Sequence, residues 1–337
     1  MPNVAVLNDY QRVALSSADW TPVTDLADVT VFDDAMGEAE AIGRLRGFDV
    51  LCIMRERLPI TRTLIEALPD LRCIVTTGAA NRAIDLEAAD DHGIVVSGTT
   101  NGLGRLATAE LTWGLVLAAA RHIPLEDRLV REGRWQATLG RTLRGLTLGI
   151  IGLGGVGRYI ARYATAFDME VIAWSRNLTE ERALESAVTA VGSKEELLER
   201  SDVVTIHTVM SPESIGLIDA AAIERMRPGA ILINTSRGPI VDEAALVAAL
   251  QDGRIGGAAL DAFDVEPLPA AHPYRALDNV ILSPHLGYVT EDVYGEFFTE
   301  TVRAAAAFLQ GSPINVLAGP GAATIAAPGE RRYEDVR

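Results

Sequence analysis

Short, almost continuously apolar runs recur along this chain and alternate with stretches whose apolar residues fall at helical spacing. The first series reads VAVLND, VTVF, DVLCIM, RCIVTT and IVVSG, with RTLIEALP and IDLEAADDHG among the segments between. A strand that is apolar on both faces belongs inside a parallel sheet covered on both sides, and intervening helices supply the crossovers. Residues 1–100 therefore read as a small doubly wound α/β unit. A helix is expected over about 105–121, and a second series then begins with LTLGIIG and continues through EVIAW, DVVTIH, AILINTS, GGAALDAF and NVILSP. This larger parallel sheet takes residues 101–286. The helical stretch EDVYGEFFTETVRAAAAFLQG comes after that series has ended, so residues 287–317 are expected to return to the first unit and make it discontinuous. Over 318–337 the periodicity is lost. AGPGAATIAAPGERRYEDVR is rich in Gly, Pro and Ala and reads as a flexible tail.

Within the second series, LTLGIIGLGGVGRYIARYATAFDMEVIAWSRN places a strand before Gly152, the spacing Gly152-x-Gly154-x-x-Gly157, a helix over about 155–167, and a second strand ending at Trp174. Three glycines alone make only a close turn. Between a strand and a helix they fit a dinucleotide: the first permits the turn, the second lets backbone approach the pyrophosphate, and the third seats the helix on the strand. The helix start then offers unpaired N–H groups to the phosphates. After the second strand, where a carboxylate would hold a ribose hydroxyl, the chain has Ser175 and then Arg176. The missing acid removes the repulsion of a 2′-phosphate, and Arg176 can bond one, so NADP(H) is expected to be favoured over NAD(H). The competing reading has Arg176 stacked over the adenine and both cofactors accepted. His207, ending DVVTIH, is expected to line the same pocket.

Three later stretches lie just past strands of this sheet, where open α/β sheets hold their ligands: NTSRG with Arg237, DAFDVEPLP with Glu266, and LSPHLG with His285. Singly, each has an ordinary explanation: a surface ion pair, a solvated loop acid, a packed ring. Jointly they are the set needed to reduce a carbonyl beside a carboxylate. Arg237 grips the anion with a planar fork of donors, His285 gives a proton to the carbonyl oxygen, and Glu266 holds the other ring nitrogen. In the first series Arg55, after DVLCIM, either binds a second anionic group of the substrate or pairs with Glu56.

At these residues the chain resembles the D-isomer-specific 2-hydroxyacid dehydrogenase family. The resemblance is carried by GIVV, ATAEL, GLGGVG, NTSRGPIVDEAAL, ALDAF, EP and SPH, and covers nearly the whole chain to about residue 317. It implies a Rossmann nucleotide-binding domain inserted into a flavodoxin-like substrate domain. It also implies catalytic roles for Arg237, Glu266 and His285, and a place for Asp261 near the nicotinamide amide. A homodimer through the nucleotide-binding domain is implied as well. Two stretches depart from the family's pattern. Tyr288 stands where small residues are usual and is expected at the active-site mouth. TTGAANRAID differs from the usual glycine-rich loop, with Gly78 and Ala79 still expected to cradle a carboxylate.

Composition narrows the partners. The chain has 337 residues and a formal net charge of -16, with no basic run to meet nucleic acid or an anionic membrane. Its longest apolar run, LTWGLVLAAA, is too short to span a bilayer, and MPNVAVLNDYQ does not read as a signal peptide, so a cytoplasmic location is expected. Cys52 and Cys73 read as buried thiols, and no His or Cys spacing suggests a metal. The leading reading is thus an oxidoreductase moving hydride between a nicotinamide cofactor and a 2-oxo acid/(R)-2-hydroxy acid pair. The alternative is a nucleotide-sensing interaction protein, like the corepressors that share this fold.

Overall fold

Strands form where the sequence is apolar on both faces. The computed structural model describes residues 1–100 and 102–320 and contains thirteen strands among them. They are β1 (Asn3–Val6), β2 (Asp28–Val31), β3 (Val50–Ile53), β4 (Cys73–Thr76), β5 (Val95–Gly98), β6 (Thr147–Ile151) and β7 (Glu170–Trp174), then β8 (Thr189–Ala190), β9 (Val203–Ile206), β10 (Ile231–Asn234), β11 (Gly257–Leu260), β12 (Val280–Leu282) and β13 (Val316–Ala318). Eleven match the apolar runs. The other two, β8 and β13, are edge strands of two and three residues, too short to carry a periodic signal.

The chain divides into two compact units, one built from Met1–Gly102 and the described residues from Glu291 onward, the other from Leu103–Thr290. In the first unit the sheet order is β13-β5-β4-β3-β1-β2. Five strands are parallel, and β13 runs antiparallel to β5 with Val316 opposite Ser97. Ordered sheet therefore extends to Ala318, inside the stretch expected to be a tail. Gly319 then packs so tightly on Ile94 that a Cβ there would strike its carbonyl. The remainder of that stretch, from 321, lies outside the described residues. β3, β4 and β5 are buried at every position, whereas edge strand β2 is not. The helix Glu291–Leu309 buries Val293, Tyr294, Phe297, Phe298, Thr301, Val302 and Ala304–Ala306. That three-and-four spacing makes one apolar stripe. Burying Phe297 alone is worth about 2–3 kcal/mol.

The second unit is an all-parallel sheet in the order β12-β11-β10-β9-β6-β7-β8. Adjacent residues of one strand serve opposite cores, because side chains alternate across a sheet. Ile150 packs with Trp113, Ile160 and Ile233, while Ile151 packs with Ile206, Leu232 and Leu246. The long helices begin and end within a residue or two of expectation, at Gly104–Ala120 and Gly155–Ala166. The second unit runs four residues past the expected boundary. Asp261 in β11's wake accepts hydrogen bonds from the backbone of Leu286 and Gly287 and ties that segment to this sheet. Among the described residues no helix is long and apolar enough to cross a membrane.

Candidate active site

The glycine turn sits between β6 and the helix Gly155–Ala166. Gly152 has a φ of +98°, and a Cβ there would lie 2.7 Å from the His207 carbonyl carbon, so the turn needs glycine for both backbone and space. The same contact places the His207 backbone beside the turn. Its ring accepts or donates at Nε2 to Thr205 Oγ1 over 2.8 Å, and burial holds its pKa down at about 3, leaving the imidazole neutral. A Cβ on Gly157 would stand 2.4 Å from the Gly152 carbonyl oxygen, so the third glycine lets the helix close onto the strand. Gly154 is exposed and a Cβ there would meet nothing within 4 Å. The helix carries no acid in its first turn. An open backbone before an unneutralised helix start fits the pyrophosphate of a dinucleotide.

One residue at this turn was not legible in the sequence. Gly155 lacks a side chain, and Arg105 fills that place from the helix Gly104–Ala120, with its Cδ 2.7 Å and Nη1 3.4 Å from where a Gly155 Cβ would be. A cation is unfavourable at the positive end of a helix dipole unless an anion joins it. Fifty residues separate the two positions, so no local pattern could pair them.

At the end of β7, half-buried Ser175 precedes exposed Arg176. The guanidinium of Arg176 reaches across to the loop after β9, where Nη2 donates to the Glu213 carbonyl and Nη1 lies 3.7 Å from Glu213 Oε2. Glu213 carries no local signal for this role. It lies on a different strand's loop from Arg176, and only the sheet order brings them together.

The catalytic candidates occupy three neighbouring loops of the same sheet. After β10, Asn234 turns the chain: its Nδ2 donates to the Arg237 carbonyl at 2.9 Å and its Oδ1 accepts from Ser236 N–H at 3.0 Å. Arg237 Nη1 donates to the Ser236 carbonyl at 2.7 Å. Gly238 follows, and a Cβ there would collide with the backbone of Phe263 and Asp264, so glycine lets the Arg237 loop close onto the Glu266 loop. Glu266 Oε1 accepts from Phe263 N–H at 2.9 Å, and Oε2 pairs with His285 Nδ1 at 2.7 Å. Burial pushes the Glu266 carboxyl up, but the His285 bond and charge, the Phe263 N–H and the charge of Arg237 outweigh it. The net result lies below the ordinary range, so Glu266 is a carboxylate, bonded to His285 and within the field of Arg237. His285 Nε2 is the ring nitrogen left for chemistry.

His285 itself has a φ of +56°, a left-handed conformation that costs a non-glycine residue about 1–2 kcal/mol. Asp261 offsets that cost. Its Oδ1 accepts from Leu286 N–H at 2.7 Å and from the Ser283 hydroxyl, and its Oδ2 accepts from Gly287 N–H at 2.9 Å. Burial raises the Asp261 carboxyl, against the opposing pull of these bonds and of the His285 charge. The residue expected beside the nicotinamide amide is therefore first of all the brace of the His285 loop. Asp261→Asn puts an NH₂ donor against at least one of these donors whichever way the amide turns. It is expected to destabilise the second unit by about 1–3 kcal/mol, read as a lower denaturant midpoint. An unchanged midpoint would show that the loop holds itself. Tyr288, buried, lies T-shaped against the His285 ring, with centroids 5.8 Å apart at 67°, and so forms a wall beside it.

In the first unit, Arg55 has a φ of +51° and is held by Thr77, whose Oγ1 accepts from Arg55 N–H at 2.9 Å, and by Asn81, whose Nδ2 donates to the Arg55 carbonyl at 2.7 Å. Its side chain makes the ion pair of the second reading and also leans over Gly78. Nε lies 3.6 Å from Glu56 Oε2, and Nη1 lies where a Gly78 Cβ would be. The Gly78 N–H donates to Thr99 Oγ1 at 2.7 Å. Ala79, the next residue, is exposed. Of the remaining histidines, His272 pairs with Glu243 at 2.9 Å and accepts from Tyr274 N–H, a structural role in the proline-rich loop.

The sequence model of a family described as "D-isomer specific 2-hydroxyacid dehydrogenase, NAD binding domain" matches residues 113–287. A D-3-phosphoglycerate dehydrogenase of Archaeoglobus fulgidus is 38% identical over 259 residues, covering 76% of this chain and 49% of that protein. The chain thus spans about half the length of that curated relative. A glyoxylate reductase of Thermofilum pendens is 33% identical over 320 residues, covering 92% of this chain and 89% of that one. Among solved structures, a phosphoglycerate oxidoreductase of Vibrio cholerae superposes with a TM-score of 0.87 at 34% identity, over 92% of this chain and all of that one.

Proposed function

Because the chain belongs to the D-isomer specific 2-hydroxyacid dehydrogenase family, we propose that it reduces a 2-oxo acid to the (R)-2-hydroxy acid with a nicotinamide cofactor, and runs in reverse when concentrations favour it. The observation that carries this reading is the 2.7 Å bond between His285 Nδ1 and Glu266 Oε2, in a loop cluster that also holds Arg237. When bound, the reduced nicotinamide supplies the hydride that adds to the carbonyl carbon. Gly152, Gly154 and Gly157 form the turn for its pyrophosphate, with Arg105 adding a charge and His207 lining the pocket. Arg237 holds the substrate carboxylate and polarises the carbonyl with its planar fork. His285 transfers the proton from Nε2 to the carbonyl oxygen while Glu266 fixes the ring through Nδ1. Tyr288 limits the substrate's bulk beside His285. Arg55 and Ala79 are the first unit's candidates for the substrate's anionic groups. Nothing in the site favours the nucleotide-sensing alternative. Steady turnover tests the reading: a panel of glyoxylate, hydroxypyruvate, phenylpyruvate and dicarboxylic 2-oxo acids, each with NADPH and NADH, should contain a substrate, and a wholly inert panel would overturn it.

Within that reading the cofactor is NADP(H) in preference to NAD(H), supported by Ser175 where a carboxylate would repel a 2′-phosphate and by Arg176 beside it. kcat/KM should be higher with NADPH. Ser175→Asp should penalise NADPH more than NADH, and equal effects on both would place the 2′ position elsewhere.

The enzyme acts as a homodimer through the nucleotide-binding unit. Supporting this, the helix Ile123–Arg131 and the segment after it leave the large apolar side chains of Ile123, Val130, Trp135 and Leu139 open to solvent, the last two at 77% and 92%. Trp135→Glu combined with Leu139→Glu should sediment as a monomer, and a retained dimer would move the interface elsewhere. The buried thiols Cys52 and Cys73 fit a reducing, cytoplasmic compartment.

A further inference from the structure

The carboxylate missing after β7 is present in space, on another loop. Glu213 follows β9, and its position is built rather than incidental: Ser211 N–H donates to Ser214 Oγ at 2.8 Å, and Ser214 Oγ donates to the Val209 carbonyl at 3.0 Å. Ser214 is buried, so the turn that presents Glu213 is anchored. Ser211 Oγ donates to Glu213 Oε2 at 2.7 Å. That bond, together with a backbone bond and the Arg176 charge, holds the Glu213 carboxyl below its ordinary range, so it is ionised at neutral pH.

Arg176 meets this loop with both terminal nitrogens, Nη2 on the Glu213 carbonyl and Nη1 toward its carboxylate. A guanidinium binds a phosphate through a pair of parallel N–H donors, and the terminal nitrogens supply such a pair. We propose that Glu213 is a cofactor-specificity residue: its carboxylate competes with the 2′-phosphate of NADP(H) for Arg176, and so narrows the discrimination between the two cofactors that Ser175 and Arg176 would otherwise impose. NADH, with a 2′-hydroxyl, leaves the Arg176–Glu213 pair standing. NADPH must draw the guanidinium away from Glu213 and place a dianion near its carboxylate. The pair is half-exposed, with side chains 50% and 59% accessible, so the effect is a modest one.

This inference rests on the NADP(H) reading, and binding of the cofactors alone separates the two. Dissociation constants of NADPH and NADH for the otherwise unliganded protein, measured by fluorescence titration at low salt, are compared for wild type, Glu213→Gln, Arg176→Ala and the double variant. Glu213→Gln should tighten NADPH about threefold to tenfold, move NADH less than twofold, and do nothing further once Arg176 is gone. If Arg176→Ala weakens NADPH while Glu213→Gln binds it as wild type does, Glu213 has no such role and the NADP(H) reading stands. If Arg176→Ala leaves NADPH unchanged, the reading itself falls and the inference with it. Tightening by Glu213→Gln that persists without Arg176 would overturn competition as the mechanism.

Discussion

His285→Asn should lower turnover on the best 2-oxo acid by a factor on the order of 10² to 10⁴ while leaving cofactor affinity nearly unchanged, the usual range for a positioned acid-base group. Asparagine fits the ring's volume poorly but keeps a polar group toward Glu266, and it has no proton to exchange near neutral pH. The separation arises because the ring sits in the loop after β12, away from the glycine turn after β6. A variant that kept more than half of wild-type turnover would remove His285 from proton transfer. The same variant has a second readout. Burial raises the Glu266 carboxyl and its bond to His285 helps hold it down, so losing the ring should let its pKa rise. A carboxyl depressed in the folded state adds stability above its unfolded pKa and loses it as pH falls through the folded value. Wild type should therefore lose more stability than His285→Asn over that acid range. Identical pH dependence would mean that the 2.7 Å pair contributes nothing to folding.

Arg237→Lys should cut kcat/KM by about 10²–10³, equivalent to roughly 3–4 kcal/mol of transition-state stabilisation, although the charge is kept. Two features call for the planar fork: Nη1 already donates to the Ser236 carbonyl, and in the proposed reaction the same guanidinium grips the substrate carboxylate and carbonyl together. An ammonium is a point charge on a flexible stem and cannot divide its donors at fixed angles. The melting temperature should hardly move, because the turn is set by Asn234 and Gly238 rather than by the guanidinium. Near-normal kinetics would reduce Arg237 to a structural residue, and a large loss of stability would mean that its bond to Ser236 is what matters.

Local pattern determined most of the architecture. Fully apolar runs such as VLCI are buried on both faces and read as inner strands of a parallel sheet, while the glycine spacing after β6 names its own turn. Arg237, Glu266 and His285 were legible for the same reason: each follows a strand, and parallel strands deliver their ends to one edge of the sheet. What the sequence could not decide were relations between residues remote along the chain. Strand order put Glu213 against Arg176, and helix packing put Arg105 over Gly155. The Asp261 carboxylate was assigned to the cofactor, yet it spends three acceptor bonds on the loop 22 to 26 residues later, because a left-handed His285 must be braced. The Gly78 N–H meets a hydroxyl at the neighbouring strand's end, Thr99. β13 escaped notice because three residues carry no period, and its antiparallel pairing with β5 is a tertiary choice. Periodicity and turn chemistry act over a few residues and are written in sequence. Which donor finds which acceptor across the sheet depends on strand order and packing, and only the folded chain settles it.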